Sequence, residues 1–220
     1  MSVLGPFDLQ RAIEMIIIVL IAIDIHELAH AVVADRLGDP TPRRLGELSL
    51  NPFVHMDQFG IVLLLLTSIS PLAFTYGRTH VTPTNLKFGP QRGNAIVALA
   101  GPLSNLGLAA ILGFVVTAWA NGTLSLTQAQ FNFVFLAFQI NVLLFVLNLL
   151  PLPPLDGFTV LGGFLTARQM YSLEPLRQWG PLVLVLLFVL DPQIGVISRV
   201  LQPAMLHVMN LLCSNCVATS

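Results

Sequence analysis

Charged residues are scarce in this chain. Of its 220 residues only 10% are Asp, Glu, Lys or Arg, and 55% are hydrophobic, whereas a soluble domain carries charge on roughly a quarter of its residues. The mean hydropathy of +0.81 indicates the same. The shortage of charge excludes an ordinary soluble domain and predicts a polytopic membrane protein.

Runs of basic residues are also missing, and the formal net charge is -1. Such a chain has no positive field to attract nucleic acid, and no Lys/Arg cluster that would serve as a polybasic lipid anchor. We therefore expect the lipid bilayer and other membrane proteins as partners, and no nucleic acid. The sequence leaves the oligomeric state open.

Cysteine is limited to Cys213 and Cys216, a single CxxC in the polar tail. One such pair cannot close a four-ligand zinc site, and no redox-type βαβ pattern surrounds it. We expect two reduced, exposed thiols.

Three apolar stretches are long enough for a membrane helix, which needs about 20 residues. They are residues 12–34, 94–120 and 131–150. The first contains Glu14 and Asp24, which makes it a poor cleaved signal peptide, so we expect a retained helix. For Asp24 at membrane depth the sequence suggests only protonation or hydrogen bonding.

The first apolar stretch also contains an HExxH motif, His26-Glu27-Leu28-Ala29-His30. Residues four apart on a helix share a face, so the two imidazoles can bind one Zn²⁺ with the Glu27 carboxylate beside it. The alternative is two histidines packed in a helix bundle. Ionisable residues at membrane depth are costly and usually mark function, which favours the zinc site.

Catalytic zinc usually has three protein ligands, so a third donor is needed. Asp156 is the best candidate, because it follows a proline-rich break, and unwound backbone at membrane depth is tolerated only where it faces protein or a wet cavity. For His55, His80 and His207 we favour surface or satisfied-core positions.

Asn105 and Asn148 are amides in apolar helices, where an unpaired polar group is costly. Both are candidates for donating hydrogen bonds to substrate backbone or to a developing oxyanion. Interhelical hydrogen bonding is the alternative for both, and it is favoured for Asn105.

Four motifs in one order resemble the site-2 protease family of intramembrane zinc metalloproteases. They are HELAH, Asn51 to Asp57, Ala100 to Asn105, and the stretch from Asn148 to Gly157. The chain is similar to the minimal form of that family, without PDZ or CBS domains. It departs from the family before Pro83, where members often carry a Trp and a Lys.

By match, the resemblance implies one zinc ion per chain on His26, His30 and Asp156, with Glu27 as the catalytic residue. It runs from about residue 13 to Gly157. We expect one domain over 1–220, with a catalytic core of about 12–157 and a C-terminal helical segment at 158–212.

A shared metal constrains the topology, because His30 and Asp156 must lie at one depth. An even number of membrane crossings must therefore separate the two residues. If stretches 94–120 and 131–150 both cross, segment 59–76 cannot cross as well, and we expect it to turn back as a re-entrant hairpin. Alternating residues predict short membrane-surface β-strands at 44–50 and 78–82. The fold class is thus all-α and polytopic, with a core of three transmembrane helices, this hairpin, these strands and C-terminal helices. How often 180–212 crosses is undecided.

This topology gathers the basic residues on one face, which the positive-inside rule makes cytoplasmic. We expect a multi-pass protein of the cell membrane with its active site near the cytoplasmic side. The residues on that face are Arg36, Arg43, Arg44, Arg78, Lys87, Arg92, Arg168 and Arg177, and Arg11 lies on the other.

The function that these features predict is zinc-dependent hydrolysis of peptide bonds in or near transmembrane segments of membrane proteins, as in regulated intramembrane proteolysis. An alternative is a non-proteolytic zinc-binding membrane protein, such as a transporter or a chaperone-like factor. A zincin with a helical Glu as third ligand ranks last, because Glu174 lies in a polar, Pro-adjacent stretch.

Overall fold

The computed structural model describes residues 9–55 and 77–213, and these ranges are mostly α-helical. Within these ranges three helices are long and apolar enough to cross a membrane, as predicted: α1 (Leu9–Arg36), α4 (Gly89–Ala120) and α5 (Gln128–Asn148). The other described helices are α2 (Thr41–Arg44), α3 (Pro52–His55), α6 (Asp156–Gly162), α7 (Ala167–Ser172), α8 (Glu174–Ile194) and α9 (Val196–Leu212), with a 3-10 turn at Pro83–Asn85.

Helix α1 ends in a Schellman motif that turns the chain back toward the metal-binding motif. Gly38 adopts a left-handed φ of 102°; its amide bonds to the Asp35 carbonyl, and the Asp39 amide bonds to that of Ala34. Glycine is favoured here because it has no Cβ to oppose a positive φ. The turn places Asp39 beside the end of α1.

Helix α4 begins five residues earlier than the sequence predicts. Phe88 precedes it with a φ of 70°, and Pro90 occupies the first turn, where a missing amide proton costs nothing. The residues of this first turn are not apolar, so they lie outside the stretch that hydropathy identifies. Hydropathy therefore located the membrane portion of α4 and missed the start of the helix.

Helix α4 lies between α1 and α5 and packs on both. The core between α4 and α5 is built around the fully buried Phe138 and Val142, and α9 adds Leu201 and Met209 to it. A second cluster joins α1 to α5. Helix α6 packs against α4, which brings the stretch after the proline-rich break back to the middle of the bundle.

The outer faces of the long helices are apolar. Ile13, Ile17 and Ile21 form an exposed row on α1, and Ile111 and Phe114 are exposed on α4. A continuous apolar surface of this kind is costly in water and is suited to lipid. Together with the three long apolar helices, it identifies a membrane protein.

The predicted β-strands are wrong for the described residues. Residues 41–44 form α2, and the stretch from 45 to 50 turns without pairing. Segment 77–82 is extended, but its amides bond to side chains and to the carbonyl oxygen of His55 at the end of α3, and to no second strand. The expected re-entrant hairpin at 59–76 lies outside the described residues.

Candidate active site

Three side chains converge at the middle of the bundle. His26 and His30 lie one turn apart on α1, with their Nε2 atoms 3.0 Å apart. Asp156, the first residue of α6, places its Oδ2 atom 3.0 Å from the first Nε2 and 3.3 Å from the second. Four-coordinate zinc with bonds of about 2.0–2.1 Å separates its ligand atoms by about 3.3–3.4 Å. The triangle is therefore close to the size that a zinc ion requires.

The protonation of the two imidazoles also fits a metal. The Nδ1 atom of His26 lies 2.6 Å from Asn105 Oδ1, and that of His30 lies 2.8 Å from the Val97 carbonyl oxygen. Both partner atoms only accept, so each Nδ1 carries a proton, and the neutral form of each ring has its lone pair on Nε2, facing the centre. Asp156 Oδ2 is buried there with no hydrogen-bond partner among the described residues. Facing lone pairs repel one another, and a cation would satisfy all three.

Asn105 supports His26 from behind and does not face the cleft. It is fully buried, and its Nδ2 donates to the Ala22 carbonyl and to Asn141 Oδ1, each at 3.2 Å. Because Nδ2 donates to these two oxygens, Oδ1 is the atom of the amide group that faces the imidazole. The structure thus shows the interhelical bonding that was the alternative interpretation of Asn105, and it adds Asn141, which sequence reasoning missed.

Gly101 gives the two histidines their space. A Cβ atom added to it would collide with the Nε2 atoms of both His26 and His30. Any side chain here would therefore occupy the metal position. This close approach of α4 to α1 accounts for the Ala100-Gly101-Pro102 motif.

Glu27 lies beside the candidate metal ligands and contacts an extended segment. Its carboxylate is buried, and Thr79 Oγ1 donates to Oε2 at 2.8 Å and lies 3.0 Å from the Glu27 carbonyl oxygen. A Cβ atom on Gly77 would lie 2.6 Å from Oε1 of the same carboxylate. The catalytic candidate is therefore held by residues that the sequence did not single out.

A cleft opens from these groups toward the face where α1 ends and α4 begins. The cleft is lined by Glu27, His30 and Asp156, by segment 77–82, here called its wall, and by Arg177. An extended peptide fits a cleft with an extended backbone along one side.

Asp39 anchors the far end of that wall. Burial acts to raise the pKa of this fully buried carboxyl, but hydrogen bonds from Thr41, Asn85 and the Thr82 amide outweigh burial and hold the pKa below its ordinary value. Neither Asp39 nor Glu47, which binds the neighbouring part of the wall, was singled out from the sequence, because only the tertiary structure shows that they are buried.

The other predicted residues lie elsewhere. Asn148 is half-buried near the end of α5, where its Nδ2 donates to the Leu144 carbonyl at 3.0 Å. His207 is exposed on α9. The exposed ring of His80 pairs with Glu47. His55 is buried, and its Nε2 lies 3.8 Å from Asp24 Oδ1. That His55 nitrogen bonds to the Ser49 carbonyl oxygen at 3.1 Å, so Asp24 Oδ1 is buried without a hydrogen-bond partner among the described residues.

The expectation of reduced, exposed thiols is wrong for Cys213. This residue is buried and disulfide-bonded, and its sulfur lies 3.1 Å from Thr117 Oγ1, whose hydroxyl donates to the Gly113 carbonyl oxygen at 2.8 Å. Its burial follows from the docking of α9 on α4. Thr117 lies 16 residues after Gly101 on α4, about 24 Å along the helix, so Cys213 is remote from the metal ligands. Cys216 lies outside the described residues.

Comparisons with known proteins identify a peptidase family and relatives that are named for zinc proteolysis. The model of peptidase family M50 matches residues 118–190, which contain Asp156. YwhC of Bacillus subtilis, named as a candidate zinc metalloprotease, is 33% identical over 182 residues, which cover 80% of each chain. Rip2 of Mycolicibacterium smegmatis, named in the same way, is 33% identical over 173 residues, or 77% of this chain and 64% of that protein.

No solved structure gives a significant match. The similarity to YwhC extends over most of both proteins, and the family model covers the segment that supplies Asp156. The chain belongs to peptidase family M50, the site-2 protease family.

Proposed function

We propose that this protein is a zinc-dependent intramembrane endopeptidase that hydrolyses peptide bonds in or near transmembrane segments of other membrane proteins. The observation that carries the proposal is the convergence of His26, His30 and Asp156 with Glu27 beside them, inside a bundle of apolar helices. The M50 family and the names of the relatives support zinc and proteolysis.

His26, His30 and Asp156 would hold one zinc ion per chain. When bound there, zinc supplies a Lewis acid that polarises the substrate carbonyl and lowers the pKa of water. The fixed Nδ1–H bonds keep both imidazoles ready to bind without reorientation. Asn105 and the Val97 carbonyl are the groups that fix them.

Glu27 is the residue that moves the proton. Its carboxylate would accept a proton from the attacking water as the new C–O bond forms. It would then deliver that proton to the leaving amine as the C–N bond breaks, so the carboxylate is unchanged after one turnover. We propose Asn148 as a further contact to substrate backbone near the site.

The substrate must be locally extended, because the carbonyl groups of a helix are already hydrogen-bonded. Segment 77–82 could pair with such a strand. The amides of Arg78, His80 and Thr82 are engaged on one side, whereas no described residue accepts from the amides of Thr79 or Val81. In an extended chain alternate amides point to opposite edges, which supports substrate pairing through the second edge.

We place the site near the cytoplasmic side of a multi-pass protein of the cell membrane. The end of α1 and the start of α4 flank the cleft, and their neighbouring residues carry most of the basic charge, as the positive-inside rule requires of a cytoplasmic face. The disulfide-bonded Cys213 is remote from the cleft. Disulfides persist in oxidising compartments, so its position supports the same orientation.

Glu27→Gln tests the proposed function. The variant should retain zinc, measured by metal analysis of the purified protein, and should lose cleavage of a reconstituted transmembrane test substrate by about 10²–10⁴-fold. Glu14→Gln on the same helix is the matched control and should cleave like the wild type. Zinc-dependent cleavage retained by Glu27→Gln would remove Glu27 from this role. A zinc-loaded wild type that cleaves no membrane substrate would favour a transporter or chaperone-like protein.

A further inference from the structure

We propose that segment 77–82 is a positioning strap for Glu27, and that two buried carboxylates, Asp39 and Glu47, hold this strap in place. Thr79 is the residue of the strap that orients the Glu27 carboxylate. The inference rests on the proposed function for its catalytic consequence, and on hydrogen bonds in the described residues for its structural part.

The backbone amides of every second residue of the strap form hydrogen bonds along one edge. The Arg78 amide donates to the His55 carbonyl oxygen at 2.9 Å, the His80 amide to Glu47 Oε2 at 3.0 Å, and the Thr82 amide to Asp39 Oδ2 at 2.6 Å. This is the pattern of a strand at the edge of a sheet, with carboxylates in place of a neighbouring strand. Hydrogen bonds to ionised acceptors are stronger than those between neutral groups.

Asp39 is built into the structure as an anchor. Its second oxygen, Oδ1, accepts from the Thr41 amide at 3.1 Å, from the Thr41 hydroxyl at 2.6 Å and from Asn85 Nδ2 at 3.0 Å. A fully buried carboxylate is costly unless its oxygens are bonded, and here both are. The same carboxylate therefore joins the end of α1, the start of α2 and both ends of the 82–85 turn.

Glu47 anchors the middle of the strap in a similar way. It is only 2% exposed, and it accepts from the His80 amide through Oε2 and from the His80 ring through Oε1. The two bonds hold one residue by its backbone and its side chain together. Because His80 is so held, the preceding residue has little freedom to rotate.

Thr79 is that preceding residue, and it acts on Glu27 directly. Its hydroxyl donates to Glu27 Oε2, Oε1 of the same carboxylate lies against Gly77 and accepts from no described residue, and all three residues line the cleft. The strap therefore selects the carboxylate oxygen that is available to handle a proton. Removing the hydroxyl would leave a buried carboxylate oxygen without its donor and free to rotate.

The catalytic part is tested with Thr79→Val, which keeps the shape of the side chain and removes the donor, and with Thr79→Ser, which restores the donor. Thr79→Val should lower kcat by about tenfold or more, as displaced catalytic groups do, with KM and zinc content close to wild type. Thr79→Ser should recover most of kcat. Full activity in Thr79→Val, or loss of activity in Thr79→Ser equal to that in Thr79→Val, would overturn the role of the hydroxyl.

The structural part is tested by amide hydrogen exchange of the full chain in detergent at neutral pH, which needs no activity. Asp39→Asn and Glu47→Gln should each increase exchange at His80 and Thr82 by about tenfold, with Glu174→Gln on exposed α8 as the control. Unchanged exchange in both variants would overturn the anchoring. If neither the wild type nor any variant cleaves the substrate, but amide exchange increases in Asp39→Asn and Glu47→Gln, the proposed function fails and the anchoring stands.

Discussion

At the residue scale, the chemistry of the two histidines is set by the bond that each ring makes on its outer side. Asn105 Oδ1 and the Val97 carbonyl oxygen each accept a hydrogen bond from an Nδ1–H group, which leaves Nε2 available to bind a metal. Asn141 in turn holds Asn105. The arrangement ties the ligands on α1 to both neighbouring helices, so zinc affinity should depend on residues that never touch the ion.

Asn105→Leu should weaken zinc binding by about 10–100-fold, because His26 loses the acceptor that fixes its tautomer and ring orientation. The measurement is the zinc retained by the purified protein against a competing chelator. Asn132→Leu, an exposed amide on α5, is the matched control and should bind zinc like the wild type. Equal affinity in both variants would contradict the supporting role of Asn105.

Asp39 should contribute to the stability that the protein loses in acid. Its pKa in the folded chain lies below the ordinary value of about 3.9, so its stabilisation is present above that ordinary value and is lost as pH falls through the lowered folded pKa. The difference in Tm between wild type and Asp39→Asn in detergent should therefore be largest near neutral pH and shrink in strong acid. A difference that grows on acidification would contradict this assignment.

At the scale of elements, the site depends on how closely α4 approaches α1. Gly101 faces the two imidazoles, whereas a Cβ atom added to Gly107 on the same helix would meet no described residue within 4 Å. The apolar stretch in the sequence predicts both positions equally as membrane helix. Only the packing of the two helices makes one glycine necessary and the other replaceable.

Gly101→Ala should abolish stable zinc binding and cleavage, because the added methyl group would occupy the space of both Nε2 atoms. Gly107→Ala should keep zinc and raise Tm slightly, since alanine favours a helix over glycine by about 1 kcal/mol. Metal analysis and thermal unfolding of the two purified variants check this pair. Zinc bound by Gly101→Ala as tightly as by the wild type would show that α4 can move away from α1.

At the scale of the whole molecule, the two ends of the helix bundle differ in chemistry. The cleft end carries the metal ligands and most of the basic residues, and the other end carries the disulfide-bonded Cys213 against Thr117. A disulfide is expected at an end that faces an oxidising exterior, and basic residues are expected at an end that faces the cytoplasm. The redox state of Cys213 therefore tests the orientation proposed above.

The denatured protein, taken from cells under non-reducing conditions, should react with a maleimide polymer only after reduction, as a shift on a gel. In intact cells, a membrane-impermeant reductant should make Cys213 reactive from outside. Labelling without any reductant would show free thiols and remove this support for the orientation. A variant with both cysteines replaced by serine controls for reaction at other groups.

Much of the fold and the ligand set could be predicted because those features are local. Long apolar stretches identify membrane helices from composition alone, and the i, i+4 spacing places His26 and His30 on one face. Asp156 could be proposed because it follows a proline-rich break, and unwound backbone at membrane depth is tolerated only where it faces protein or a wet cavity. The strands were mispredicted because alternation describes an extended chain and does not show what its amides bind.

The sequence by itself determined a polytopic helical membrane protein with an HExxH pair and a distant carboxylate, since these follow from hydropathy, helical periodicity and the cost of charge in lipid. The tertiary structure alone decided that Asn105 faces His26 instead of the cleft, that Asp39 and Glu47 hold the segment over Glu27, and that Cys213 is buried. Each of these depends on which residues meet across helices far apart in the chain. Contacts of that kind follow from packing, and no local pattern of residues specifies them.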